Sequence, residues 1–304
     1  MTDPAFRVRP GTAQDARPTF DVFLPAIKDL AIRLGNPWEV EPEDLWTRME
    51  PMYQFLAAHA AEWWVAEDAA TGQLIGHARS IERGGLFELS EFFVLPARQS
   101  AGVGAELLKR TFPEGRGEVR AIIATPDMRA QARYYRAGTA ARFPILSLNG
   151  APGTVVGDGA ADRSMEAQRA TEDDVAALAE LERSVLGFDR GDEFRWLLEQ
   201  REGYLYRRSG RIVGSGFLAN RGGVGPVSAT EPSDTPGILD HLERRAAELE
   251  IAEMSFDVPG PNEAGIRHLL DRGFRLDQFL TLLMSSRPFG QFDRFIGFSP
   301  PLVL

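Results

Sequence analysis

Glu91-Phe-Phe-Val-Leu-Pro-Ala-Arg-Gln-Ser-Ala-Gly-Val-Gly-Ala-Glu-Leu-Leu108 runs from an apolar strand through a loop of small residues into an amphipathic helix. A junction of this kind binds anions. Gly102 and Gly104 allow backbone N–H groups to approach a phosphate with no Cβ in the way, and the helix dipole places about half a positive charge at the N-terminus. A pyrophosphate is the natural guest. A dinucleotide fingerprint G-x-G-x-x-G needs a third glycine where Leu107 stands, and a P-loop needs Gly-Lys-Ser/Thr, so both alternatives fail on spacing.

Working outward, the first half reads as a strand (Phe6 to Arg9), a helical region (Thr12 to Ala60), two hairpin strands, a strand (Leu86 to Leu95), a helix (Gly102 to Arg110), a strand (Val119 to Ala124), a helix (Arg129 to Ala137) and a strand (Arg142 to Leu148). Strands and helices alternating in this way predict an α/β protein built on a mixed sheet. The chain also repeats itself. Thr12-Ala-Gln-Asp15 and Thr171-Glu-Asp-Asp174 are matching helix N-cap signals. Thr71-Gly-Gln-Leu-Ile-Gly76 and Ser209-Gly-Arg-Ile-Val-Gly214 both read as hairpins with a two-residue turn. Residues 99–138 align with 234–273 without a gap, at a constant offset of 135 that carries Gln99 to Asp234.

Gln99-Ser-Ala-Gly102-Val-Gly104 meets the Q/R-x-x-G-x-G/A signature of the GNAT superfamily of acyl-CoA-dependent N-acetyltransferases, which the chain resembles. Downstream, Asp127, Ala130, Tyr134 and Gly138 fall at the spacings of the superfamily's N-x-x-A-x-x-x-Y-x-x-x-G-F, with Asp in place of Asn and Thr139 in place of Phe. The resemblance implies a splayed mixed sheet that holds acetyl-CoA, as co-substrate, between its fourth and fifth strands. It places Phe93 and Val94 beside the pantetheine and Arg98, Gln99, Ser100, Ala101, Gly102, Val103, Gly104 and Ala105 around the pyrophosphate. By the same resemblance the reaction is direct transfer, with Tyr134 as the acid that protonates the leaving thiolate and Glu91 as the base that takes the amine proton, Glu88 standing behind it. Packing of Tyr134 on an amphipathic helix and a solvated strand face for Glu91 are the plain alternatives.

At the offset of 135, Gln99 becomes Asp234, Gly104 becomes Leu239 and Tyr134 becomes Leu269, while Asn262 and Gly273-Phe274 are kept. The second copy thus loses a backbone-approach glycine, gains a carboxylate at the loop and loses the acid. We expect two tandem GNAT domains, 1–150 with the working site and 164–304 degenerate, joined by a Gly-rich linker over 151–163. A packed second domain would shape the acceptor pocket or mediate a homodimer.

Bulk properties narrow the partners. A chain of 304 residues with 43% hydrophobic content can bury the cores of two ordinary domains. No window approaches the ~18 consecutive apolar residues of a membrane helix, and MTDPAFRVRP lacks a signal-peptide layout, so a cytoplasmic protein with no membrane partner is expected. A net charge of −10 without a Lys/Arg run opposes nucleic-acid binding. The absence of cysteine excludes disulfides and thiolate nucleophiles. His59, His77, His241 and His268 show no ligand spacing, and no metal is expected. Trp38, Trp46, Tyr53 and Phe55 could line an acceptor pocket or pack a core. The expected partner is a small-molecule amine. A non-catalytic acyl-CoA-binding or sensing protein is the alternative, motivated by Asp127 and Thr139.

Overall fold

The computed structural model describes residues 5–99, 101–153, 164–191 and 193–298. Most of the expected linker, 154–163, lies outside the described residues, as does Ser100. The chain packs as two compact units, 1–140 with 284–287 and 141–283 with 288–304.

In the first unit the order is β1 (Phe6–Pro10), α1 (Ala16–Arg33), α2 (Pro42–His59), β2 (Glu62–Asp68), β3 (Leu74–Arg83), β4 (Leu86–Val94), α3 (Val103–Thr111), β5 (Val119–Ala124) and α4 (Met128–Arg136). β1 to β4 form an antiparallel meander, and β5 pairs in parallel with β4 after the crossover through α3. α1 starts where Asp15 accepts both the amide and the hydroxyl of Thr12 at 2.8 and 2.9 Å, and a bidentate Arg9 holds the same carboxylate. α1 buries Phe20, Phe23, Leu24 and Leu30, and α3 buries Val103, Leu107 and Leu108, each helix presenting one apolar stripe.

The second unit contains β6 (Ala140–Gly150), β7 (Met165–Arg169), α5 (Val175–Leu186), α6 (Glu193–Gln200), β8 (Arg201–Arg208), β9 (Arg211–Ala219), β10 (Val224–Ala229), α7 (Thr235–Glu248), β11 (Met254–Pro259), α8 (Glu263–Asp271), β12 (Arg275–Leu276), β13 (Thr281–Ser285) and β14 (Phe295–Ile296), with the first residue of β6 and the end of β13 grouped with the first unit. β7 to β10 repeat the antiparallel meander. Strand β6, expected in the first domain, groups with this unit and pairs antiparallel with β11 from Met254↔Gly150 to Pro259↔Ile145. Its core is built from Ile238, Leu242, Phe256, Leu269 and their neighbours.

The internal repeat appears as structure. β11 and α8 begin and end 135 residues after β5 and α4. Thr171 and Asp174 reproduce the Thr12–Asp15 box. One matched feature differs from the expectation. Ser209 and Gly210, both at positive φ, make the two-residue turn between Arg208 and Arg211. Thr71-Gly72 instead belong to a five-residue loop between Asp68 and Leu74, where the Asp68 carboxylate accepts the amides of Ala70 and Thr71 at 3.0 Å and takes over the closure a tight turn would give.

Candidate active site

β4 decides the geometry. Ser80 of β3 faces Leu89, yet the next residue, Arg79, faces Glu91, so Ser90 is the extra residue of a bulge. A bulge inverts the alternation of side chains beyond it. Phe87 stacks on Phe112 beyond the end of α3. Past the bulge, Phe92 packs on Tyr134 of α4, and Glu91 and Phe93 turn to the opposite face, where Phe93 meets Phe23 of α1. The β4–β5 register also stops at Leu89↔Ile122. From Ser90 to Val94 the edge of β4 that faces β5 carries no β5 partner, and this is the backbone edge the resemblance assigns to pantetheine.

At the end of that edge lies the glycine loop. Gly102 is the N-cap residue of α3 at φ 88°, and a Cβ built on it meets nothing within 4 Å. Glycine is needed there for its backbone angle, and the space in front of it is open. Among the described residues no side chain caps α3, and the amides of its first turn have no intrahelical acceptor. Gly104 serves another purpose. A Cβ on it would stand 3.1 Å from Phe92, so its lack of a side chain also lets α3 lie close on β4. Val103 is buried beneath the loop, and Ala101 and Ala105 are exposed. Gln99 donates from Nε2 to the Val94 carbonyl at 3.2 Å and ties the loop to the strand end. The Arg98 guanidinium is ion-paired with Asp68, whose carboxylate is held below its ordinary value by the Thr71 and Ala70 amides and by Arg98. The Arg98 side chain is still 42% exposed.

Tyr134 is buried on the Phe92 side of the sheet, their ring centroids 6.1 Å apart and edge to face. Burial, with the nearby Asp127 charge, pushes its phenol above the ordinary value, so it keeps its proton at neutral pH. Asp127 caps α4 by accepting the Arg129 amide at 2.8 Å, and it also takes Arg33 of α1 at 3.0 Å. Burial pushes the Asp127 carboxyl up, but the bonds from Arg129 and Arg33 outweigh it and bring the pKa to about 2.

Glu91 lies on the other face, inside a group of buried polar residues. Its side chain is fully buried, with the Arg79 Nε 3.2 Å away and equally inaccessible. Arg79 donates to the Tyr53 carbonyl at 3.2 Å and stacks 4.0 Å over Trp63. Burial pushes the Glu91 carboxyl up, while the Arg79 charge pulls it part of the way back. His77, two residues along the same strand face, is fully buried, and burial together with Arg79 holds its imidazole well below the usual range, so it is neutral. Among the described residues, the Tyr53 hydroxyl, the Trp63 indole N–H, both His77 nitrogens, the Arg79 Nε and both Glu91 oxygens have no hydrogen-bond partner. Glu88, expected behind Glu91, is paired with Arg83. Trp46 and Tyr53 pack with Phe20 and Phe23 against the same face, whereas Phe55 stacks on His59 and Trp38 is exposed.

Sequence reading singled out Glu91 but not Tyr53, His77 or Arg79 as members of one constellation. The signal was the period-2 placement of His77 and Arg79 in Leu74-Ile-Gly-His-Ala-Arg-Ser-Ile81, two polar residues on one face of an otherwise apolar strand. In the second unit, His268 comes together with Asp240 and Glu243, their ligand atoms within 4.8 Å of one another. Glu243 there already accepts the Gly153 amide at 2.6 Å and the Arg272 Nε at 3.0 Å.

A mixed sheet splayed after a bulge, with an uncapped glycine-led helix beside the opening, defines the acyltransferase fold. Residues 24–139 match the model of the acetyltransferase (GNAT) family. By structure, the chain is similar to a candidate acetyltransferase from Pyrococcus horikoshii (TM-score 0.72, 14% identity, covering 97% of this chain and 94% of that one). It is likewise similar to a GCN5-related N-acetyltransferase from Sphaerobacter thermophilus (TM-score 0.63, 14% identity, 95% and 98% covered). A tandem GNAT protein from the clavulanic acid biosynthesis pathway matches over 93% of this chain and 99% of its own, with TM-score 0.56 and 14% identity. Comparison of the sequence with curated proteins finds no match. No helix among the described residues is long and apolar enough to cross a membrane.

Proposed function

We propose that the first unit is an N-acetyltransferase that moves an acetyl group from acetyl-CoA to the primary amine of a small-molecule acceptor by direct transfer, and that the second unit is a degenerate copy. The observation that carries this reading is the free edge of β4 from Ser90 to Val94 ending at the uncapped N-terminus of α3. The residues present fit the co-substrate: an extended chain finds a β4 edge with no β5 partner, and a pyrophosphate finds open space over Gly102 at the start of α3, whose first-turn N–H groups have no intrahelical acceptor.

Acetyl-CoA brings the acetyl group as an activated thioester. The acceptor nitrogen bonds to the carbonyl carbon, the carbon–sulfur bond breaks, one proton passes from nitrogen to the protein, and the sulfur leaves as a thiolate that takes its proton from water. Tyr134 suits the sulfur end as an O–H donor. A phenol held above its ordinary value gives up its proton less readily than a thiol of pKa ~8.5, so a hydrogen bond that stabilises the leaving thiolate is its best-supported contribution. Glu91 suits the amine end because its raised pKa makes it a stronger base than an exposed carboxylate. Arg98 is assigned to the phosphate rim once it exchanges Asp68 for the ligand.

One observation favours the second reading, a non-catalytic acyl-CoA-binding protein: Glu91 is sealed and paired with Arg79. Release of free thiol from acetyl-CoA separates the two, and the cysteine-free chain adds no thiol of its own. Release that depends on added primary amine supports transfer. Binding of acetyl-CoA with no release across a broad amine panel supports the sensor.

A further inference from the structure

The second unit repeats the splay of the first, but its cleft is filled by the chain itself. β10 lies at the offset of 135 from the second half of β4, and β11 from β5. β10 has its own register shift, between Val224 and Val227, as β4 has between Leu89 and Glu91. Parallel contact with the β11 strand is reduced to the bridge Gly223↔Ser255. Beyond this point in the first unit, no strand pairs with the corresponding edge of β4 among the described residues. In the second unit β14 pairs antiparallel with that edge, Val227↔Ile296 and Ser228↔Phe295.

The segment is held on its other sides as well. The Gly297 amide donates to the Asp257 carbonyl of β11 at 3.0 Å. Asn262, the counterpart of Asp127, caps α8 with its Oδ1 and donates from Nδ2 to the Phe295 carbonyl at 3.0 Å. Phe295, Ile296 and Phe298 are buried, and Phe298 lies 3.8 Å under the Arg201 guanidinium. The fit is close enough that a Cβ on Gly225 would stand 1.9 Å from the Gly297 carbonyl oxygen.

We infer that residues 295–298 are a built-in strand occupant of the second unit's cleft, standing where the first unit leaves room for an extended ligand, so that the chain takes one acyl-CoA and not two. Strand addition supplies the attachment, because backbone hydrogen bonds hold an extended segment irrespective of its origin. The loop agrees: α7 begins at Thr235, so Gly237, the counterpart of Gly102, lies inside the helix, and Asp234 is buried in a bond from Arg208 at 2.7 Å. The difference between Asp127 and Asn262 acquires a reason. An amide can cap the helix with its oxygen and donate to a peptide carbonyl with its nitrogen, whereas a carboxylate has no donor.

The test has two arms on the full chain. Amide hydrogen exchange is expected to be as slow across 295–297 as in the β8–β9 hairpin, and Asn262→Asp, which keeps the cap but loses the donor, is expected to speed exchange there about tenfold while leaving β1 to β5 unchanged. Exchange as fast as that of an unstructured peptide, or no response to N262D, overturns the inference. Calorimetric titration with acetyl-CoA, which rests on the proposed function, is expected to give one site per chain that is lost in Gly102→Glu. Two sites, or one site that survives G102E, overturns it. No binding together with a protected 295–297 segment supports the built-in occupant and counts against the proposed function alone.

Discussion

Arg79 and Glu91 face each other across β3 and β4, a guanidinium nitrogen 3.2 Å from a carboxylate oxygen, with neither side chain reachable by solvent. The bulge at Ser90 brings them together, since without it Glu91 would point to the α3 face. Such a pair is costly to bury and more costly to break, because removing one partner strands the other charge in a low-dielectric interior.

Arg79→Met is therefore expected to destabilise the protein by about 3–5 kcal/mol at neutral pH, measured by denaturant unfolding. Because burial raises the Glu91 pKa, the folded state binds its proton more tightly than the unfolded one, and stability falls as pH rises from the ordinary 4.5 through the folded value. Loss of Arg79 enlarges that effect, so the deficit of R79M is expected to be smaller at pH ~5 than at pH ~8. The double variant R79M/E91Q should recover part of it. A deficit independent of pH would contradict this role for the pair.

Asp127 gives the opposite sign. Its folded pKa, about 2 against an ordinary 3.8, means that its ion pairs stabilise the fold above pH ~4 and are lost as pH falls toward 2. Asp127→Asn keeps an effective helix cap and removes the charge that Arg33 and Arg129 share. The stability gap between wild type and D127N is expected to be modest at pH 7, as these are partly exposed pairs, and to close by pH ~2–3. A gap that widens on acidification would be the contrary result.

Tyr134→Phe removes one hydroxyl and leaves the ring packed on Phe92. Amine-dependent thiol release is expected to drop about 10²-fold in kcat with little change in the KM for acetyl-CoA, because the donor acts on sulfur only as the bond breaks. An unchanged kcat would return Tyr134 to a packing role.

Local pattern made much of the first unit legible. Val119 to Ala124 is strand β5 at both ends as read from its apolar run, and the helix expected over Arg129 to Ala137 is α4, Met128–Arg136. The Gln99 to Gly104 loop announced α3 because the left-handed angle at Gly102 demands glycine, a requirement written in one residue. The packing constraint on Gly104 is not legible in the loop, because it comes from Phe92, twelve residues earlier and across a packing interface. Tyr53, His77 and Arg79 escaped for a related reason: α2 and β3 are far apart in sequence, and only the sheet register together with the Ser90 bulge puts their polar atoms beside Glu91. Strand β14 left no signal, since two residues have no period and its pairing depends on Val227 and Ser228, far upstream in the chain.

The central claim is that the first unit binds acetyl-CoA at the α3 N-terminus. Its most direct test is thermal unfolding of wild type and Gly102→Glu with and without ~1 mM acetyl-CoA, where a ligand at ~100 times its Kd stabilises by about 2.7 kcal/mol. The account predicts a clear upward shift in Tm for wild type and none for G102E, whose carboxylate stands in the open space over the helix end. No shift in wild type, or equal shifts in both proteins, would contradict it.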